Sequence, residues 1–199
     1  MTIDIPKLLE IEFEAVSTLL DSQCKTKTVD ALILCLVKYE KQLRRLYFFL
    51  ALEFSNLSGD EIVNAIQEDR HLYAGNFMEG IKLLSGCEIS NIVGDKFKSL
   101  IDRMIKVECY RNKLVHGQLT GKSLDSSALE ILVKDVINWV DALAAGAKAK
   151  FNFDGVDKDY PKRKSEIDKK AIKLENLTAL KEQLKEIGKP KYKRLDNFR

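Results

Sequence analysis

The fold is decided by residues 28–54, TVDALILCLVKYEKQLRRLYFFLALEF, which contain neither glycine nor proline. Apolar side chains recur through this stretch every three or four residues, which is the period of one helical face. The stripe consists of Val29, Leu32, Ile33, Leu36, Leu43, Leu46, Tyr47, Leu50 and Phe54. Charged residues occupy the space between them: Lys38, Glu40, Lys41, Arg44 and Arg45. The pattern predicts an amphipathic helix of about seven turns, capped by Thr28, that packs against other helices.

Similar patterns flank this helix on both sides. Helical spacing predicts an element over residues 5–20, and Ser58 with Glu61 has the spacing of a capping box before a short helix over 60–69. Further helices are predicted over 77–84, from Asp95 onward, and after a cap at Asp125 or Ser126, the last of these containing Trp139. Residues 85–94 look irregular, and Gly117 and Gly121 indicate a turn. The sequence therefore predicts an all-α fold, an antiparallel helical bundle of four to five main helices.

The last quarter of the chain differs from the rest in charge. Residues 1–146 contain 17 basic and 21 acidic side chains, whereas residues 147–199 contain 16 basic and 9 acidic ones. We expect a bundle over 1–146 and a basic appendage over 147–199, with a linker at 151–164, a possible helix at 165–187 and a disordered end at 188–199. The basic appendage either contacts nucleic-acid phosphates or is a solvated tail.

Composition narrows the class of protein. With 10 glycines and 3 prolines in 199 residues, an all-β fold rich in tight turns is disfavoured. No apolar run approaches the ~18 residues of a membrane helix, and the first residues lack the pattern of a signal peptide. The four cysteines are widely spaced and show no metal-ligand pattern. We expect a soluble cytoplasmic protein with reduced thiols, no bound metal and no cofactor.

The clearest chemical signal is residues 111–116, RNKLVH, which stand directly before Gly117. On a helix Asn112 and His116 share a face. A histidine that titrates near neutrality can take a proton from an RNA 2′-hydroxyl or give one to the leaving oxygen. An arginine can stabilise charge on the phosphoryl oxygens. The alternative is an ordinary histidine at a helix end, favoured by the helix dipole, with a surface arginine nearby.

Arg111-Asn112-x-x-x-His116 resembles the R-N-x-x-x-H motif of the HEPN superfamily (higher eukaryotes and prokaryotes nucleotide-binding domains). The run RNKLVHGQ, the stretch YEKQLR at 39–44 and the later helix with Trp139 are similar to those of plasmid- and mobile-element-associated members. The resemblance covers roughly residues 5–145. It implies a bundle that forms a homodimer in which two motifs meet in one cleft. It also implies a metal-independent endoribonuclease in a toxin–antitoxin or phage-defence system, which cleaves RNA by attack of the 2′-hydroxyl.

Carried over by position, Arg111 binds the phosphate, His116 is the acid/base residue and Asn112 supports them. Three positions depart from family patterns. Gln118 stands where toxins paired with nucleotidyltransferase antitoxins have a tyrosine, and Arg103 and Val107 stand where some members have glutamate and lysine.

Two functions therefore stay open: the ribonuclease, and a non-catalytic module that binds RNA or a protein, such as the neutralising partner of a toxin. His71 is expected to be a surface or capping residue, with a place in the cleft as the alternative. Glu40 and Arg44, four apart, are expected to form an ion pair on the charged side of the long helix, with a place in the dimer cleft as the alternative.

Overall fold

The computed structural model describes residues 3–68, 72–115, 125–156, 173–192 and 195–198. This part of the chain forms the all-α bundle that the sequence predicts. Its α-helices are α1 (Glu10–Asp21), α2 (Lys27–Glu53), α3 (Gly59–Glu68), α4 (Ala74–Ser85), α5 (Ile89–Val93), α6 (Phe97–Val115), α7 (Ser126–Phe151) and α8 (Leu177–Ile187). Short 3-10 turns lie at Lys7–Leu9, Gly94–Lys96, Pro190–Tyr192 and Leu195–Phe198. None of the described helices has the length and apolarity to cross a membrane.

Helix α2 is the centre of the bundle, because it contacts α1, α4 and α7. The predicted apolar stripe faces this core, and its fully buried members are Leu32, Leu43, Leu46 and Tyr47. The predicted cap at Thr28 is wrong: the helix begins at Lys27, and Thr26 is the N-cap residue. Thr28 is itself buried inside the first turn.

Two other predicted caps are confirmed. The Ser58 amide donates to Glu61 Oε2 at 2.8 Å, and the Glu61 amide donates to Ser58 Oγ at 3.3 Å, which is the reciprocal geometry of a capping box. At the start of α7, the Ala128 amide donates to Asp125 Oδ1 at 2.8 Å. These side chains satisfy amide donors that have no partner within the helix.

The expectation of irregular structure over residues 85–94 is wrong, since this region contains α5. Ile89, Ile92 and Val93 are buried, and α5 packs against α7. A Cβ atom at Gly146 of α7 would lie 1.7 Å from the Ile92 carbonyl oxygen, so only glycine permits this approach. The helix has only five residues, too few to show a helical period in the sequence.

Helices α6 and α7 run antiparallel. The Phe97 ring lies 6.0 Å from the Trp139 ring, and further along α6 the Arg103 guanidinium pairs with Asp135, which precedes Trp139 in α7. Leu100, Ile101, Met104 and Val107 bury the inner face of α6, as the sequence predicts from the first three of them. This packing fixes the direction in which the end of α6 points.

The chain after α7 packs on the same core. The predicted linker does not begin at residue 151, because α7 continues to Phe151 and residues 153–156 are buried. Gln42 Nε2 donates to the carbonyl oxygens of Val140 at 3.0 Å and Asp154 at 3.2 Å. One buried amide therefore joins α2 to α7 and to the segment that follows it.

The C-terminal helix is shorter than predicted and is docked on the bundle. Helix α8 begins at Leu177, after Asn176, whose Oδ1 accepts from the Ala179 amide at 3.0 Å. Its apolar side contacts α3 and α4, and Asn76 Nδ2 in α4 donates to the Ile187 carbonyl oxygen. The expectation of disorder over 188–199 is wrong for residues 190–192 and 195–198, which form 3-10 turns, with Leu195 buried.

Candidate functional site

Arg111 lies in the last two turns of α6, at the edge of the bundle. Its Nη1 is 3.3 Å from Glu40 Oε1 of α2, and the two side chains are 31% and 30% exposed. The ion pair therefore joins the motif helix to the central helix at a site that water reaches. An ion pair of this exposure contributes only about 0–1 kcal/mol to stability.

The two other motif residues are described less fully. Asn112 follows Arg111 within α6, which extends to Val115, but its side chain lies outside the described part. His116, the next residue in the sequence after Val115, lies outside the described residues, as do Gly117, Gly121 and His71. The roles predicted for Asn112, His116 and His71 stay predictions.

The predicted ion pair between Glu40 and Arg44 is wrong. Glu40 pairs with Arg111 instead, and the Arg44 guanidinium lies over the Phe77 ring, 5.4 Å from its centre. Arg44 is thus directed toward α4, whereas the carboxylate of Glu40 faces Arg111 on α6. The sequence resemblance over residues 39–44 points to this helix, but spacing along α2 alone does not reveal a partner on α6.

The described charged side chains nearest Arg111 are acidic. Glu108, three residues before Arg111, lies on the same side of α6, and Glu40 faces it from α2. Tyr39 is buried next to them: burial raises the pKa of its hydroxyl well above the usual range, and the charges of Glu108 and Glu40 raise it further. The Tyr39 hydroxyl has no hydrogen-bond partner among the described residues. Among the described side chains, a phosphate approaching Arg111 therefore meets one arginine and two carboxylates.

Of the three positions that depart from the motif pattern, Gln118 lies outside the described residues, whereas Arg103 and Val107 have structural roles. Arg103 Nη1 pairs with Asp135 Oδ1 of α7 at 2.8 Å, and the Asp135 side chain is only 8% exposed. Val107 is fully buried in the core. Arg103 is occupied by an ion pair with α7, and Val107 is enclosed in the core. Neither side chain is therefore placed to act on a ligand at Arg111.

The described residues do not form a metal site. No group of three or more histidine, cysteine, aspartate or glutamate side chains in this part of the chain is arranged to hold an ion. All four cysteines are free thiols, and burial raises the pKa of Cys35, the one in the core. The chemistry available at the described site is therefore that of an arginine and its carboxylate neighbours.

No protein-family model matches this sequence, and no curated protein or solved structure is significantly similar to it. The HEPN resemblance thus rests on the motif residues and their setting in the chain.

Proposed function

We propose that this protein is a metal-independent endoribonuclease of HEPN type that acts in a toxin–antitoxin, phage-defence or mobile-element conflict system. One observation carries the proposal: the RNxxxH motif begins at a water-accessible arginine near the end of a long helix whose opposite face is anchored in the core. A rigid helix with an accessible cation at its end suits a site that must hold a phosphodiester in one orientation.

In this proposal Arg111 binds the scissile phosphate by exchanging partners. Its contact with Glu40 is 3.3 Å long and both side chains are about one-third exposed, so the ion pair is weak. A phosphate accepts two parallel hydrogen bonds from a guanidinium and binds it more strongly than a single carboxylate contact does. RNA binding therefore separates Arg111 from Glu40, while the buried face of α6 keeps the backbone in place.

The proposed reaction needs no metal. His116 takes the proton of the 2′-hydroxyl as its oxygen forms a bond to phosphorus, and the bond from phosphorus to the 5′-oxygen breaks. A second, protonated histidine, from the motif of the other subunit, gives its proton to the departing oxygen. Arg111 stabilises the charge on the phosphoryl oxygens, and Asn112 orients the imidazole. The products are a 2′,3′-cyclic phosphate, which hydrolyses to a 3′-phosphate, and a 5′-hydroxyl end.

The proposed partners follow from this reaction. Two copies of the chain form a homodimer with a composite cleft, RNA is the substrate, and an antitoxin protein is a further possible partner. The excess of basic residues in 147–199 would add phosphate contacts, which weaken as salt concentration rises.

The acidic setting of Arg111 favours a second candidate, a non-catalytic module that binds a protein. Glu40 and Glu108 repel RNA phosphates, whereas they would attract a basic segment of a partner such as a toxin. In that case Arg111 keeps its contact with Glu40, and the motif serves to stabilise the helix end.

Cleavage of cellular RNA in EDTA separates the two candidates. The purified protein is compared with His116→Ala and Arg111→Ala, and Lys106→Ala, an exposed change on the same helix, is the control. We expect the motif variants to lose activity by about 100-fold or more and the control to keep it. New 2′,3′-cyclic phosphate ends would identify the reaction. A folded wild-type protein that cuts no RNA under these conditions contradicts the enzyme and favours the binding module.

A further inference from the structure

A separate cavity of about 1030 Å³ opens between α4, α5, the first half of α6 and the C-terminal 3-10 turns. Apolar side chains form part of its wall, among them Ile89, Phe97, Ile101 and Phe198. Three carboxylates and three lysine amines complete the lining: Glu79, Glu88, Asp102, Lys82, Lys98 and Lys191. The cavity is large enough for a small organic ligand.

The charges in this cavity lie at different depths. Lys82 pairs with Glu88 at 2.8 Å, and both side chains are substantially exposed. Lys191 is also exposed and lies 3.7 Å from Glu186. Glu79, in contrast, is only 8% exposed. The three lysine side chains are thus exposed at the rim, and two of them, Lys82 and Lys191, have acidic neighbours, whereas the Glu79 residue is largely buried in the cavity wall.

Glu79 stands out because no described residue forms a hydrogen bond or ion pair with it. The carboxylates of Glu88 and Glu186 each have a lysine, but the described structure contains no such partner for Glu79. Glu79 lines the cavity, and its oxygens are not among the described buried polar atoms that lack a partner, so water in the cavity can solvate its carboxylate. A cationic ligand in the cavity would replace that water with a charged partner for Glu79.

The position of Glu79 is fixed by its helix. Residues 74–81 of α4 are all buried, and Asn76, one turn earlier, is tied to the end of α8. At the next residue, a Cβ on Gly80 would lie 2.6 Å from the Tyr47 ring, so the backbone here is pressed against α2. Glu79 therefore cannot move out to solvent with its backbone, and its carboxylate is held at the cavity.

We propose that this cavity binds a small organic cation, an amine or guanidinium carried on a short apolar chain, with Glu79 as its counter-ion. The cationic group pairs with the buried carboxylate, and the apolar chain lies along Ile89, Phe97 and Ile101. An inorganic anion would have to bind at the rim lysines and would leave Glu79 unpaired. The cavity is distinct from the candidate site, because Asp102 and Arg111 are about 13 Å apart along the axis of α6.

The test uses agmatine, which has a guanidinium and an amine on a four-carbon chain, and the full-length protein. Calorimetry gives the affinity for the wild type, for Glu79→Gln, and for Glu88→Gln, a matched change at the rim. We expect Glu79→Gln to weaken binding by about tenfold or more, because it removes a buried charged partner, and Glu88→Gln by less than about threefold. Thermal unfolding of each variant shows whether it is folded.

A measurement on the wild type keeps the test independent of any folding defect in Glu79→Gln. Amide shifts in the ¹H–¹⁵N spectrum should change, saturably, for α4, α5 and the first half of α6, and not for residues around Glu40. Equal affinity of Glu79→Gln and wild type overturns the proposal. So does the absence of saturable shifts, and so does inorganic phosphate producing the same shifts as agmatine.

Discussion

Two arginines on the same helix, Arg103 and Arg111, differ in what holds them. They are eight residues apart on α6, about 12 Å along its axis. Arg103 is 51% exposed but pairs at 2.8 Å with Asp135, whose side chain is 8% exposed, whereas Arg111 pairs at 3.3 Å with Glu40, which is 30% exposed. The main difference is therefore in the acidic partner: Asp135 is largely buried, whereas Glu40 is not.

This difference separates a structural ion pair from an exchangeable one. The Asp135 side chain is only 8% exposed with Arg103 in place, so removing Arg103 takes the charged partner from a largely buried carboxylate. Glu40 can be solvated where it stands, so Arg111 can leave it for another anion at little cost in free energy. An arginine near a motif can thus bind a ligand only when water can solvate its acidic partner after the ion pair separates.

The largest expected effect on folding is that of Arg103→Ala. It should lower the free energy of unfolding by about 1–3 kcal/mol, because Asp135 loses its described charged partner. Urea unfolding measures this, with Lys106→Ala as the exposed control on the same helix. If the two variants are equally stable, Asp135 does not depend on Arg103, and the contrast between the two arginines fails.

Glu40→Gln tests whether the ion pair between Glu40 and Arg111 is exchangeable. It removes the charge that occupies Arg111, so the affinity for RNA should rise by about three- to tenfold at low salt, while stability changes by less than about 1 kcal/mol. Fluorescence anisotropy with a labelled RNA measures the affinity, in a His116→Ala background that prevents cleavage. Glu14→Gln, an exposed change of equal charge on α1, is the control. Weaker binding by Glu40→Gln would mean that Glu40 itself contributes to RNA binding.

Tyr39→Phe tests the buried hydroxyl next to Glu40 and Glu108. It should have the smallest effect on stability of the three variants. The hydroxyl has no described hydrogen-bond partner, so its removal should leave stability unchanged or raise it by up to about 1 kcal/mol. Burial raises the pKa of Tyr39 in the folded state, so the protein loses stability as the unfolded chain ionises above its ordinary value of 10.0. The advantage of the phenylalanine variant should therefore grow above that pH, as urea unfolding at several pH values would show. A clear loss of stability in Tyr39→Phe would instead reveal a partner for the hydroxyl.

The sequence predicts the elements whose patterns are local. The helical period over 28–54, the capping box at Ser58 and the cap at Asp125 each depend on residues a few positions apart, and each is present in the structure. Helix α5 is too short for a period, and its place depends on the contact of Ile92 with Gly146, 54 positions later. The C-terminal turns depend in the same way on contacts with distant helices.

The same limit applies to the candidate site. The spacing of Arg111, Asn112 and His116 is visible in the sequence, but the partner of Arg111 lies on another helix, 71 positions earlier. Nothing local assigns Glu40 to Arg111 in preference to Arg44, because both arginines are compatible with its charge. The burial of Asp135 and Glu79 likewise depends on how whole helices pack.

The central claim is tested most directly by measuring RNA cleavage in EDTA and urea unfolding on the same two variants, Arg111→Ala and Arg103→Ala. We expect Arg111→Ala to lose cleavage by about 100-fold or more with stability within about 1 kcal/mol of wild type. Arg103→Ala should keep cleavage while it loses stability. Cleavage that survives in Arg111→Ala, with wild type active and all three proteins folded, would contradict the assignment of this end of α6 as the functional one.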